Sequence, residues 1–165
     1  MSWADYERLG EDVRSEYIDG RLMMTPAPSR AHQICQRLVP VLQGAVHQAE
    51  VTLGWGWKPR ADEFVPDLMV HPVTDENIRF TGMPLLVVEV LSGNRADDLV
   101  GKATKYAALG LSDYWVVDPR AHSLTTFHLD GAAYESTGLY DAGVDELTFA
   151  HYSVHVDVDV DALLA

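Results

Sequence analysis

The strongest apolar segment of the chain is Leu85-Leu86-Val87-Val88-Glu89-Val90-Leu91, a run short enough for a strand and rich in valine and leucine. Runs of this kind lie in the middle of a sheet with both faces covered. A second short run, Phe64-Val65-Pro66-Asp67-Leu68-Met69-Val70, carries Pro66 near its start, where a missing N–H is tolerated. Helical spacing dominates elsewhere. From Arg30 to Glu50 the residues Ile34, Leu38, Leu42, Ala45 and Val46 share one face, Ser29 is placed to cap, and Pro40 predicts a kink or a break. From Asp97 to Leu109 the buried stripe is Leu99, Ala103, Tyr106 and Ala107, with Asn94 as the cap and Gly110 as the stop.

Shorter elements surround these four. Trp3, Tyr6 and Leu9 fit one face of a helix ended by Gly10, and Glu16 to Met24 reads as a hairpin turning on Asp19-Gly20. Val51 to Trp57 predicts a strand, and His71 to Met83 a polar, mobile connection. Asp113 to Asp118 is a core strand stopped by Pro119. Ser123 to Leu129 and Ala133 to Thr137 follow as an antiparallel pair around Asp130-Gly131. The tail from Tyr152 to Val160 alternates strictly, valines on one face and His155, Asp157 and Asp159 on the other. The pattern predicts an α/β fold: a mixed central sheet flanked by helices, with antiparallel C-terminal strands. Residues 1–165 are enough for one domain with its own core.

Chemistry enters where acids interrupt the apolar runs. Glu89 places a carboxylate where burial is otherwise complete, so it must be protonated, paired with a cation or bound to a metal. The plain structural reading is a pair with an arginine or lysine near the strand end. Asp67 repeats the situation on another strand. On the helix wheel Lys102 falls at the margin of the buried stripe and Lys105 lies further round, so Lys102 is the one able to bend toward two carboxylates. Two carboxylates on neighbouring strands offer hard oxygen ligands of the kind Mg²⁺ or Mn²⁺ takes.

Other chemistries lack their patterns. The seven histidines are scattered, with no helical pair around a glutamate, and no Gly-x-Ser-x-Gly is present. The single cysteine, Cys35, excludes an internal disulfide or a cysteine zinc cluster and reads as core. Asp157-x-Asp159-x-Asp161 lacks the glycine of a calcium loop. Trp55 and Trp57 share a strand face, and core or dimer interface is preferred over a base-stacking platform.

Apolar content of 47% and charged content of 22% are ordinary for a globular protein. The formal net charge of −13 has the wrong sign for loose binding to DNA. A nucleic-acid surface would need a local patch drawn from Arg30, Arg37, Lys58, Arg60, Arg95 and Lys102. Met1 to Gly10 has no leader-like apolar stretch and no run approaches a membrane span, so a cytoplasmic location without membrane contact is expected.

Ser15-Glu16-Tyr17-Ile18-Asp19-Gly20, Pro66-Asp67, Val88-Glu89-Val90-Leu91-Ser92, Lys102 with Tyr106, and Gly110-Leu111-Ser112-Asp113-Tyr114-Trp115-Val116-Val117-Asp118-Pro119 resemble, in this order, the Uma2 family. That family groups endonucleases of the restriction-endonuclease-like, PD-(D/E)xK superfamily. The superfamily lysine two residues after the glutamate is Leu91 here, whereas the Uma2 pattern places it on the following helix, as Lys102. The resemblance implies a restriction-endonuclease-like fold and a DNA-cleaving phosphodiesterase. Asp67 and Glu89 would hold Mg²⁺ or Mn²⁺ with the Val90 carbonyl and Glu16 nearby, and Lys102 would orient water or steady charge on phosphate. His32 matches a histidine of the family, although a capping or surface role fits it equally. Glu16 at its hairpin start reads first as a solvated strand residue. A homodimer is expected, since exposed-looking aromatics and the alternating C-terminal strand offer surface for a twofold contact and a duplex cutter gains from two sites. The opposing expectation is a non-catalytic interaction module on the same fold, which the acidic charge favours.

Overall fold

The computed structural model describes residues 1–10, 12–25, 29–93 and 96–165, the side chains of 96–98 apart. Asn94 and Arg95, expected as a helix cap and as part of a basic patch, lie outside the described residues.

Helix α1 (Trp3–Glu7) is capped by the Ser2 side chain and followed by the hairpin β1 (Ser15–Ile18) and β2 (Arg21–Met24). Asp19 and Gly20 both have positive φ, 51° and 73°, the backbone that a two-residue turn matched to strand twist demands. Helix α2 (Arg30–Ala45) is capped by Ser29 and leads to β3 (Ala49–Leu53) and the two-residue β4 (Gly56–Trp57). Then come β5 (Leu68–Pro72), β6 (Arg79–Phe80), β7 (Leu86–Val90), α3 (Ala96–Leu109) and β8 (Asp113–Asp118). The chain ends with β9 (Ser123–Asp130), β10 (Ala133–Tyr140), β11 (Val144–Phe149), β12 (Val154–Asp159) and α4 (Val160–Leu164).

The central sheet has six strands in the order β10-β9-β8-β7-β5-β3. Its one parallel pair is β7 with β8, the two strands joined by α3; every other neighbour is antiparallel. The expected mixed α/β sheet is therefore the observed one. Both faces are covered, which explains the unbroken apolar run of β7. Leu68, Val70, Leu86, Val88 and Val90 pack with α2, α4 and the β11–β12 hairpin. Met69, Val87 and Tyr114 pack on the other face with Trp57, Phe64 and Tyr106.

Several boundaries move. Helix α2 stops at Ala45 instead of Glu50, and the strand begins at Ala49. The turn is made at Gln48, which adopts φ 57° without being glycine. Pro40 sits inside α2, which stays helical on both sides because Ile34, Leu38 and Leu42 are fully buried. The expected strand from Val51 to Trp57 is divided at Gly54 (φ 55°), and its second half joins β6 in a separate parallel pair. The connection expected from His71 to Met83 is partly ordered: His71 is a buried residue of β5, and Arg79–Phe80 form β6. Trp57 is wholly buried against Phe64 and Tyr106, so it is core. The valines of the C-terminal strand face α2 within the same chain. Strand β11 and helix α4 have no counterpart in the sequence reading. Among the described residues no helix is long and apolar enough to cross a membrane.

Candidate active site

The pairing of β5 with β7 places the first two acids. The last ladder pair is Leu68 with Val88, so one step further Asp67 comes level with Glu89. There the strands part, because Pro66 has no N–H to continue the ladder. The Asp67 side chain takes over: its Oδ2 accepts from the Val90 backbone N–H at 2.8 Å. Both carboxylates act on the same neighbours. The Cys35 thiol of α2 is pushed up first by burial, then by the charges of Asp67 and Glu89. That leaves Cys35 protonated and inert, as its core assignment requires.

Helix α3 supplies the cation. Glu89 is 2% exposed and Lys102 7%, and Lys102 Nζ lies 3.5 Å from Glu89 Oε1. Its shorter contact, 2.8 Å, is to Glu16 Oε1. Lys105, three residues along, points to the surface and pairs with Asp19 and Asp62 at 2.7 and 2.9 Å. The wheel separated the two lysines correctly.

Glu16 is the correction. It is 3% exposed, not solvated, because the segment Glu63–Val65 lies over β1. Tyr17 and Glu63 exchange backbone bonds, and the Val65 N–H donates to Glu16 Oε1 at 2.8 Å. Burial pushes the Glu16 carboxyl above its ordinary value; Lys102 pulls it back and Glu89 pushes it up again. A third acid thus joins the cluster through the lysine ammonium.

Tyr106 is the partner the helix wheel assigned to core alone. It follows Lys102 by one helical turn, so the same face that presents the ammonium presents the phenol. Its hydroxyl donates to Glu89 Oε1 at 2.8 Å, while its ring is held by Trp57, Phe64 and Tyr114 at 5.1–5.6 Å. Burial, then the charges of Glu89 and Glu16, hold the phenol well above its ordinary value, so it remains a donor. Tyr106→Phe is expected to cost about 1–2 kcal/mol of stability by removing one bond to a buried carboxylate. Chemical denaturation of the two proteins checks this.

His32, in the first turn of α2, is half-buried, and its Nε2 lies 3.1 Å from the Gln36 amide nitrogen. No contact joining it to the carboxylates occurs among the described residues. Of the residues expected in a basic patch, four are placed by contacts or burial among the described residues. Arg30 and Arg37 bond the carbonyls of the last three residues, Lys58 sits over the Trp3 ring, and Lys102 is buried.

A mixed sheet with acids where two central strands part, and a lysine turned in from the crossover helix, defines a restriction-endonuclease-like fold. The chain belongs to the Uma2 family, described as "Putative restriction endonuclease", whose model matches residues 3–151. Among solved structures it is similar to "a putative nuclease belonging to DUF820" from Anabaena variabilis ATCC 29413. That similarity has a TM-score of 0.78 and 20% identity, covering 99% of this chain and 97% of the other. Comparison with curated proteins gives no match.

Enzymes of this class generally use divalent metal ions. No three His, Cys, Asp or Glu side chains converge as a metal site among the described residues. Two carboxylates suit Mg²⁺, an ion that keeps waters and takes further oxygens from a phosphate substrate. The donor set fits.

Proposed function

We propose that this chain is a metal-dependent endonuclease that hydrolyses DNA phosphodiester bonds. Asp67 and Glu89 would hold Mg²⁺ or Mn²⁺, with Lys102 as the charged catalytic group. The observation that carries the reading is the coincidence of two carboxylates at one end of β5 and β7 with an inward lysine from α3. A bound divalent ion supplies Lewis acidity toward the phosphate and lowers the pKa of a water.

The chain's own groups do the rest. Glu16 and Glu89 hold the Lys102 ammonium from two sides, so it is positioned to donate to the attacking water or to a phosphate oxygen gaining charge. Tyr106 and the Val90 N–H fix the orientations of Glu89 and Asp67. In-line attack forms the new P–O bond as the bond to the leaving sugar oxygen breaks. Two acids on one ammonium, with Asp67 level with Glu89 on the neighbouring strand, leave the cluster negative, which favours a divalent cation there. The test is DNA cleavage with Mg²⁺, with Mn²⁺ and with chelator. Activity on unselected DNA is weak in this reading, since the net charge of −13 repels phosphates, most strongly at low ionic strength.

The same charge, and the commitment of Arg30 and Arg37 to the C-terminus, favour a second reading as a non-catalytic interaction module. A chain that neither binds Mn²⁺ nor cuts DNA would decide for it. A homodimer accompanies the nuclease reading, since two copies serve the two strands of a duplex. Exposed apolar residues such as Val100 and Leu139 offer surface for the contact. Sedimentation at micromolar concentration is expected to give twice the chain mass of 18.3 kDa; the mass of a single chain overturns it.

A further inference from the structure

We propose that His128 and His151 form a second cation site, for a borderline transition-metal ion such as Zn²⁺, with Asp113 as its positioning residue. The two imidazole centroids lie 5.6 Å apart at 79°. Imidazoles sharing one ion at about 2.0–2.1 Å from each nitrogen have centroids on the order of 5–6 Å apart. The pair's centroid separation falls in that range. It owes nothing to Asp67 and Glu89 and does not rest on the nuclease reading.

The register of β8 and β9 sets Asp113 directly opposite His128. Asp113 is 3% exposed, and its Oδ1 lies 3.2 Å from His128 Nδ1. Its Oδ2 accepts from Ser112 Oγ at 2.7 Å and from the His151 backbone N–H at 3.2 Å. A carboxylate facing Nδ1 keeps the hydrogen there and leaves the Nε2 lone pair for a ligand, the arrangement that orients metal-binding histidines generally. The Tyr152 ring packs on the His128 ring, with centroids 4.6 Å apart, and fixes its plane.

The second histidine is delivered by an unusual turn. Ala150, His151 and Tyr152 have φ of 52°, 54° and 64°, three successive non-glycine residues in the left-handed region. Each costs on the order of 1 kcal/mol, and the turn persists because Ser153 N and Oγ bond the Ala150 carbonyl and Asp113 bonds His151. The same carboxylate thereby holds the His128 ring and the His151 backbone. No third His, Cys, Asp or Glu completes the set among the described residues, so water fills the remaining positions. Imidazole ligands select Zn²⁺, Ni²⁺ or Cu²⁺ over Mg²⁺ and Ca²⁺.

The chain carries its own controls, since His122 and His155 each face a single acid, Asp161 and Glu146, at the surface. Imidazole proton resonances are followed by NMR as Zn²⁺ is added in excess Mg²⁺, which occupies any carboxylate site. His128 and His151 are expected to shift together and saturate at one equivalent, before His122 and His155 respond. His151→Ala, which removes an exposed ring and keeps the backbone bond to Asp113, is expected to weaken Zn²⁺ binding at least tenfold in calorimetry; His128→Gln should do the same. The proposal fails if Zn²⁺ affinity survives His151→Ala, or if all the exposed histidines respond alike.

Discussion

Glu89→Gln and Asp67→Asn are each expected to lower metal-dependent DNA cleavage by roughly a thousandfold, the effect of losing several kcal/mol of charge stabilisation at the reacting phosphate. Both changes are nearly isosteric, and both keep the described hydrogen bonds. A glutamine oxygen still accepts from the Tyr106 hydroxyl, and an asparagine oxygen still accepts from the Val90 N–H. The loss is therefore not a collapsed strand end: for Asp67→Asn it reads ligand charge, and for Glu89→Gln ligand charge together with the weakened hold on Lys102. Calorimetric titration with Mn²⁺ reads the binding defect directly, and thermal unfolding verifies that the sheet is intact. If both variants cut as well as the parent chain, these carboxylates are structural and the nuclease reading loses its site. If the parent binds Mn²⁺ but never cuts, the ion serves the fold alone.

How far the sequence reaches depends on where each residue's surroundings come from. The Asp19-Gly20 turn and the inward position of Lys102 were legible because both follow from residues within a few places of them. Glu89 was legible because one acid in an apolar run has few physical options, and pairing with a lysine is among those observed. Glu16 was not legible. Its own strand reads as one edge of a small hairpin, and its burial is made by Glu63–Val65, almost fifty positions along the chain. The end of α2 was misplaced because its apolar spacing runs on past Ala45, while the turn falls on Gln48, a residue that carries no turn signal. The valines of β12 announced a buried face, but their partner, α2, lies more than a hundred residues away. The Tyr106 hydroxyl was missed for a different reason. A helix wheel places side chains on faces, and it says nothing about what the polar end of a buried ring will meet.

Lys102→Ala is expected to be the most destabilising single change at the site, and its effect should depend on pH. Removing the ammonium strands Glu16 and Glu89 in a buried setting, where breaking an ion pair costs about 3–5 kcal/mol. The tyrosine hydroxyl and the Val65 N–H remain as partners, which places the expectation near the lower end at pH 7. Glu16 sets the direction with pH. Its folded carboxyl already titrates above the ordinary 4.5, burial being the largest cause, and Lys102 is the main influence restraining it. Without the lysine it moves higher still. A carboxyl raised on folding contributes stability that is fully present below its unfolded pKa and is lost as pH rises through the folded one. The deficit of the variant against the parent should therefore be largest at neutral pH and shrink as pH falls toward about 4.5, where protonation removes the stranded charge. Urea unfolding of both proteins at several pH values measures the difference, and acid effects common to both cancel. Lys105→Ala is the control: its partner Asp19 is exposed and Asp62 half-buried, so neither is stranded in the core, and a loss of about 1 kcal/mol or less is expected. A deficit for Lys102→Ala that stays constant with pH would mean that lost packing of the lysine stem, and not stranded carboxylates, sets its size.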